Sequence, residues 1–217
     1  MEIINFSESP SLISTYIAEI RDRSIQTDRL RFRENIRRMG QLMGYELSKR
    51  LAYKEVDVET PLGIAPSHLL DSQPVVASIL RAGLPLHQGV LDSFDRADNT
   101  FISAYRKTHA DHSFDVEVEY LASPSIEGRT LILCDPMLAT GQSMMLCYDA
   151  LLQKGIPEHT HIVSLIGSAQ GVAAVADHMG DRATLWIGAI DEEMNAKSYI
   201  VPGLGDAGDL AFGGKDN

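Results

Sequence analysis

An acid, a glycine and two hydroxyls fall together in DPMLATGQS, residues 135–143. The apolar run Thr130–Cys134 precedes them, and Met144, Met145, Tyr148, Leu151 and Leu152 follow at helical spacing up to Gly155. This pattern predicts a buried strand, a tight turn and a helix. Such a turn aims free backbone N–H groups at one point, where the helix dipole also favours an anion. Thr140, Gly141, Gln142 and Ser143 can therefore cradle a phosphate. Asp135 places a carboxylate at the mouth of that cradle, where it can accept hydrogen bonds from two adjacent ribose hydroxyls. A diol acceptor beside a phosphate cradle describes a site for ribose 5-phosphate. The stretch lacks a Gly-Lys-Ser/Thr ending, so it is not a nucleoside-triphosphatase loop. A plain turn with a capping hydroxyl accounts for any one of these residues, but poorly for all nine.

Two further stretches carry chemistry. PVVASIL (74–80) reads as a buried strand and runs into Arg81-Ala82-Gly83. Small residues there permit close backbone approach and the arginine supplies charge, so a nest of amides would suit a pyrophosphate. The plain alternative is a βα turn with a surface arginine. The second stretch is YIVPGLGDAGD, residues 199–209. Its glycines predict an irregular loop whose N–H and C=O groups can read a flat heterocycle, anchored by Tyr199, Ile200, Val201 and Phe212. Gly203–Gly208 also satisfies Gly-x-Gly-x-x-Gly. Only nine residues follow it, too few for the helix and second strand of a dinucleotide site. His109 and His112 have no third ligand nearby to make a metal site. His159, His161 and His178 fall at element ends, where surface or core roles are expected.

The elements that must position these stretches are regular. Residues 11–51 read as helical, with apolar stripes at Leu12, Ile13, Tyr16, Ile17 and Ile20, and at Leu30, Ile36, Met39, Leu42, Met43, Leu47 and Leu51. Thr27 or Asp28 can cap the second stripe. Seven arginines (21, 23, 29, 31, 33, 37 and 38) crowd the charged face, to be solvated and balanced by acids such as Glu34 and Glu46, or to bind an anionic effector or partner subunit. Residues 53–64 alternate like a strand outside the main sheet, and 100–107 read as a strand leading into a mobile hairpin. HIVSLIGS (161–168), GVAAVADHMG and ATLWIGAI (183–190) complete a strand–helix–strand series, which specifies a mainly parallel sheet flanked by helices. A chain of 217 residues, 44% hydrophobic, favours one domain. The expected parts are a helical arm over about 1–52, an α/β core over about 70–190 and a C-terminal segment over about 191–217. No apolar run approaches the ~18 residues of a membrane span. The start, MEIINFSESPS, has no basic-then-apolar pattern of a secretion signal. Cys134 and Cys147 fit no metal spacing, and a reduced cytoplasmic setting with buried thiols is expected. A formal net charge of −11 argues against nucleic acid. The same charge requires a polyanionic ligand to be held by local cations, loop amides and a divalent ion.

DPMLATGQS resembles the loop that binds phosphoribosyl pyrophosphate (PRPP) in phosphoribosyltransferases, most closely DPMLATGGS of the uracil phosphoribosyltransferases. ILRAGL (79–84), YIVPGLGDAGD and the arginine-rich helical run from Glu19 to Leu47 are similar to segments of the same family. The resemblance implies a phosphoribosyltransferase-type α/β fold with an N-terminal helical arm and a C-terminal base-binding hood. It implies transfer of the phosphoribosyl group of PRPP to N1 of uracil, giving UMP. Asp135 would hold the ribose, Thr140, Gly141, Gln142 and Ser143 the 5′-phosphate, and Pro136, Met137, Leu138 and Ala139 would belong to the same PRPP-binding loop. Arg81, Ala82, Gly83 and Arg106 would serve the pyrophosphate. Tyr199, Ile200, Gly205, Asp206 and Ala207 would bind uracil. Asp206, which would also touch PRPP, would join Arg106 and Asp135 in catalysis. Mg²⁺ would arrive on PRPP rather than on a site of the chain, and a homodimer or homotetramer with a nucleotide effector such as GTP is implied. Four departures stand out: Gln142 for a glycine, Leu210 for a cation, Lys107-Thr108 after Tyr105-Arg106, and Pro85-Leu86-His87 after the Arg81 motif. They keep open a non-catalytic paralogue that binds PRPP or a nucleotide in a regulatory role.

Overall fold

A computed structural model of the chain describes residues 1–108 and 114–214, with side chains described outside 104–117. The sequence His109–Ser113, with the two histidines considered above, lies outside the described residues, as does the side chain of Arg106.

The elements run β1 (Glu2–Asn5), α1 (Leu12–Arg21), α2 (Arg29–Ser48), β2 (Tyr53–Thr60), β3 (Gly63–Leu70), β4 (Val75–Leu80), α3 (Leu84–Leu91), β5 (Asp98–Thr108), β6 (Phe114–Ala122), β7 (Thr130–Cys134), β8 (Met137–Leu138), α4 (Gln142–Leu151), β9 (His159–Ser168), α5 (Ala169–Met179), β10 (Ala183–Asp191), β11 (Glu193–Met194), β12 (Ile200–Val201) and α6 (Ala207–Phe212). The main sheet is ordered β1-β10-β9-β7-β4-β5-β6, with β8 paired to β9, and only β5–β6 is antiparallel. This is the mainly parallel, helix-flanked sheet that the strand–helix alternation predicts.

The period of two along each strand sends side chains to opposite faces and makes two cores. Val75, Ala77 and Ile79 of β4, Leu131 and Leu133 of β7, and Leu185 and Ile187 of β10 face α4 and α5. Val76, Ile132, Cys134, Val163 and Trp186 face the other way, onto α1, α2 and α3. Ile13, Ile17 and Ile20 of α1 and Phe32, Ile36, Met39, Met43 and Leu47 of α2 are buried there, while Leu12 and Leu30 at the edges of their stripes are exposed. Asp28 caps α2, accepting the Arg31 N–H at 3.1 Å. Trp186 Nε1–H donates to His161 Nδ1 at 3.1 Å, and burial pushes His161 down to about 3, so this core histidine is neutral. Cys134 and Cys147 are free and buried, and burial pushes the Cys147 thiol up to about 12.

Two elements escape a purely local reading. β1 is too short to announce a strand, and forms because β10 offers a parallel edge. The alternating stretch after α2 continues into a complete hairpin, β2–β3, which forms its own two-stranded sheet. The arginine-rich face is largely satisfied within the chain. Arg21 forks onto Asp191 at 2.8 and 2.9 Å, Arg31 onto Glu19 at 3.0 and 2.7 Å, and Arg37 meets Asp92 at 2.8 Å. Arg33 donates to the Ala211 carbonyl at 2.7 Å, tying α2 to α6.

Candidate active site

Strands β4 and β7 are parallel neighbours, yet the helices that follow them pack on opposite faces: α3 with Leu86 and Val90, α4 with Met144, Cys147 and Tyr148. Between such strands the loops at their carboxyl ends part and leave a crevice, the usual ligand position of open α/β sheets. A cavity of about 670 Å³ lies there, walled by the 79–82 turn, by Asp135 and residues 137–144, and by two C-terminal stretches, 197–199 and 205–209.

The 135–143 turn is held from behind. The Asp135 N–H donates to the Val163 carbonyl, the Leu165 and Ile166 N–H groups to the Pro136 carbonyl, all at 3.1 Å, and Ser168 Oγ to the Ala139 carbonyl at 2.6 Å. Gly141 caps α4 in the left-handed region, at φ 76°. A Cβ there would stand 2.8 Å from Val175 Cγ2 and 3.0 Å from the Gly171 carbonyl oxygen. Gln142 is the first residue of α4 and is not among the positive-φ residues, so the exchange of glycine for glutamine carries no backbone strain. The α4 N-terminus thus presents its amides to the cavity, as a phosphate cradle requires.

Asp135 is 9% exposed at the cavity floor. Burial pushes its carboxyl up to about 7, against a hydrogen bond from the Met137 backbone that pulls it down. A group with that tendency gains most from hydroxyl donors that stabilise its charge.

Across the cavity, Arg81 and Ala82 leave β4 after a cis Leu80–Arg81 peptide. Gly83 lies outside the lining: a Cβ on it would meet the Ile79 and Cys134 carbonyl oxygens at 2.5 and 2.7 Å, so it sets how closely the two turns approach. The third wall is organised by Asn195, whose Oδ1 accepts the Lys197 and Tyr199 N–H groups at 2.9 and 3.1 Å, with Ser198 at φ 60°. After a cis Val201–Pro202 peptide the chain reaches Asp206, whose Oδ1 caps α6 by accepting the Asp209 N–H at 2.9 Å. The glycine-dense stretch is therefore a short ribbon, β11–β12, and a capped helical turn rather than wholly irregular.

Of the residues the sequence nominates, Arg81, Ala82, Asp135, Met137, Leu138, Ala139, Thr140, Gly141, Gln142, Ser143, Tyr199, Gly205, Asp206 and Ala207 share this one cavity. Pro136 and Ile200 stand behind it, Ile200 buried in the core and paired with Met194. Lys197, Ser198, Gly208 and Asp209 line the cavity without having been nominated. Asp209 was in plain view inside YIVPGLGDAGD, whereas Lys197 precedes the motif and offers no local signal. Two further departures, besides Gln142, find structural explanations. Leu210 packs against the core rather than lining the cavity. His87 is buried, its Nε2 3.3 Å from the Val76 carbonyl oxygen, and burial pushes it down from its ordinary value.

Among the described residues no three His, Cys, Asp or Glu side chains gather to hold a metal ion. The carboxylates of Asp135, Asp206 and Asp209 on the cavity wall can supply one or two oxygens to a magnesium ion otherwise coordinated by phosphates and water, which is how that ion is commonly held.

Comparison with known proteins agrees along the chain. A uracil phosphoribosyltransferase of Porphyromonas gingivalis is 52% identical over 215 residues, covering 99% of this chain and 100% of its own length. One from Methanothermobacter thermautotrophicus is 39% identical, covering 93% and 92%. The solved AQ2163 protein of Aquifex aeolicus superposes with a TM-score of 0.87 at 27% identity over 97% of this chain and 98% of its own. A hypoxanthine phosphoribosyltransferase of Staphylococcus aureus shares the fold alone, with a TM-score of 0.50 at 16% identity over 75% of this chain and 76% of its own. The family model described as uracil phosphoribosyltransferase matches residues 7–214, and the chain belongs to that family.

Proposed function

We propose that the chain transfers the phosphoribosyl group of PRPP to N1 of uracil, releasing UMP and pyrophosphate. The observation that carries this reading is convergence. The diol acceptor Asp135, the Thr140–Ser143 cradle, Arg81 and the Tyr199–Ala207 loop are far apart in sequence and wall one cavity. No observation favours the non-catalytic alternative.

In the reaction the bond from C1′ to the pyrophosphate oxygen breaks, its electron pair leaving with pyrophosphate, while the uracil N1 pair forms the new bond to C1′ and the N1 proton passes to solvent or to the released pyrophosphate. Asp135 accepts the two ribose hydroxyls and fixes the ring, and the amides of Gln142 and Ser143 at the start of α4 hold the 5′-phosphate. Arg81 stabilises the charge growing on the leaving group. The Gly205–Ala207 backbone reads the uracil edge, with Asp206 beside the reacting nitrogen. Magnesium, bound with PRPP, would neutralise pyrophosphate charge. Arg106, on β5, is assigned to the same end of PRPP. The exposed apolar residues of the β2–β3 hairpin, Leu62 at 99%, Ile64 and Leu69, support a homo-oligomer. The buried free thiols suit a reduced, cytoplasmic setting.

The test is to mix the purified chain with uracil, PRPP and Mg²⁺ and follow UMP by chromatography, with hypoxanthine, cytosine and orotate in parallel. UMP from uracil alone, lost in Asp135→Asn, is expected. No nucleotide from any base, with PRPP still protecting the chain from heat, would sink the enzymatic reading and favour the regulatory one.

A further inference from the structure

Arg81 does not stand free in the cavity. Its Nη2 donates to Asp209 Oδ1 at 3.2 Å and reaches the Gly213 carbonyl oxygen at 3.4 Å, both on the segment that follows the base-reading loop. Asp209 is itself fixed. Its N–H caps onto Asp206 Oδ1 at 2.9 Å, and its helix is tied to α2 through Arg33 and the Ala211 carbonyl. A guanidinium has five N–H donors in a rigid fork. Asp209 and Gly213 engage one nitrogen of the three. Among the described residues no other hydrogen bond is made by Arg81, which leaves the Nε and Nη1 donors for a ligand. Asp209 also lines the cavity, beside the two uracil-loop residues Asp206 and Ala207.

We propose that Asp209 is a positioning residue, which holds the Arg81 fork from the C-terminal side so that its remaining donors face the pyrophosphate. The inference rests on the reading of Arg81 as the pyrophosphate cation. A carboxylate so placed carries a cost as well, since its charge opposes an incoming polyanion. The two effects predict opposite results on its removal. Loss of positioning weakens PRPP binding, whereas loss of repulsion strengthens it. The 3.2 Å contact favours the first, and the half-exposed position of both side chains limits its size.

Steady-state kinetics of UMP formation decide the matter. Asp209→Ala is expected to raise KM for PRPP about fivefold, the range of a partly exposed charge pair, with KM for uracil within about twofold of wild type. Asp209→Asn keeps an acceptor oxygen without the charge and is expected to restore most of the loss, which a purely coulombic role would not allow. In an Arg81→Lys background, where the fork is absent, Asp209→Ala is expected to add less than about twofold. Thermal melting of each variant separates these effects from loss of folding, and the isosteric Asn variant with the Arg81→Lys cycle serves if the Ala variant folds poorly. An active wild type whose KM for PRPP is unmoved or lowered in Asp209→Ala overturns the positioning role alone. A wild type that forms no UMP overturns the parent reading, and this one with it.

Discussion

Asp135 is the residue at which folding and the proposed ribose binding pull in opposite directions. Its carboxyl is pushed up to about 7 by burial, from an ordinary value near 3.8. A raised pKa means that the folded chain holds this proton more tightly than the unfolded chain. The contribution to stability is therefore complete below pH 4 and is lost as pH rises through 7. Buried histidines such as His161, pushed down rather than up, act in the opposite sense, so the informative quantity is the difference between wild type and Asp135→Asn. The variant is expected to gain on wild type from pH 4 to 7, reaching on the order of 4 kcal/mol, and to level off above. Urea unfolding at several pH values reads this directly, and a flat difference would show that the carboxyl is not perturbed. At Gly141 the need for positive φ and the nearness of Val175 predict that Gly141→Ala lowers stability by about 1–2 kcal/mol and raises KM for PRPP. Gln142→Gly, by contrast, is expected to leave turnover unimproved, because position 142 is already helical. A gain in turnover there would mean that the cradle needs glycine's freedom after all. The sequence places a glycine at 141 and a glutamine at 142, and only the backbone decides which position bears the left-handed conformation.

Among the elements, α6 joins a structural duty to a proposed chemical one. Asp206 both caps this helical turn and lines the cavity, so on the proposed reading Asp206→Ala would report two losses at once. Asp206→Ser retains a capping oxygen. It is expected to recover the ~1 kcal/mol of the lost cap in a melting experiment while leaving UMP formation as low as in Asp206→Ala. Recovery of both would reduce Asp206 to a cap. This element was only partly legible. An aspartate followed three residues later by another acid is a helix-start signal, but Gly203, Gly205 and Gly208 around it read as a loop. β1 was hidden for a different reason, since a four-residue edge strand is made by its neighbour rather than by its own pattern. The central strands and helices were plain because burial on both faces leaves continuous apolar runs, and the helices keep a 3.6-residue period.

On the scale of the molecule the difficulty is charge. On the proposed reading a chain of net charge −11 takes up a polyanion in a cavity whose described lining holds two cations, Arg81 and Lys197, against Asp135, Asp206 and Asp209. Chelation of Mg²⁺ with excess EDTA is therefore expected to abolish UMP formation. It should leave the melting temperature of the free chain unchanged, because no metal cluster supports the fold among the described residues. A fall in melting temperature on chelation would reveal a resident metal instead. The three segments that wall the cavity were each legible as chemistry, yet nothing local in them says that β4 and β7 lie side by side with their helices on opposite faces, and that adjacency is what makes one site of them. The core offers a tool for these experiments. Trp186 is the sole tryptophan of the chain, and its indole is bonded to a histidine that stays neutral down to about pH 3. Its fluorescence in the folded state is accordingly free of quenching by a protonated imidazole partner over pH 4–8, so one optical signal can follow unfolding across the whole range in which Asp135 titrates.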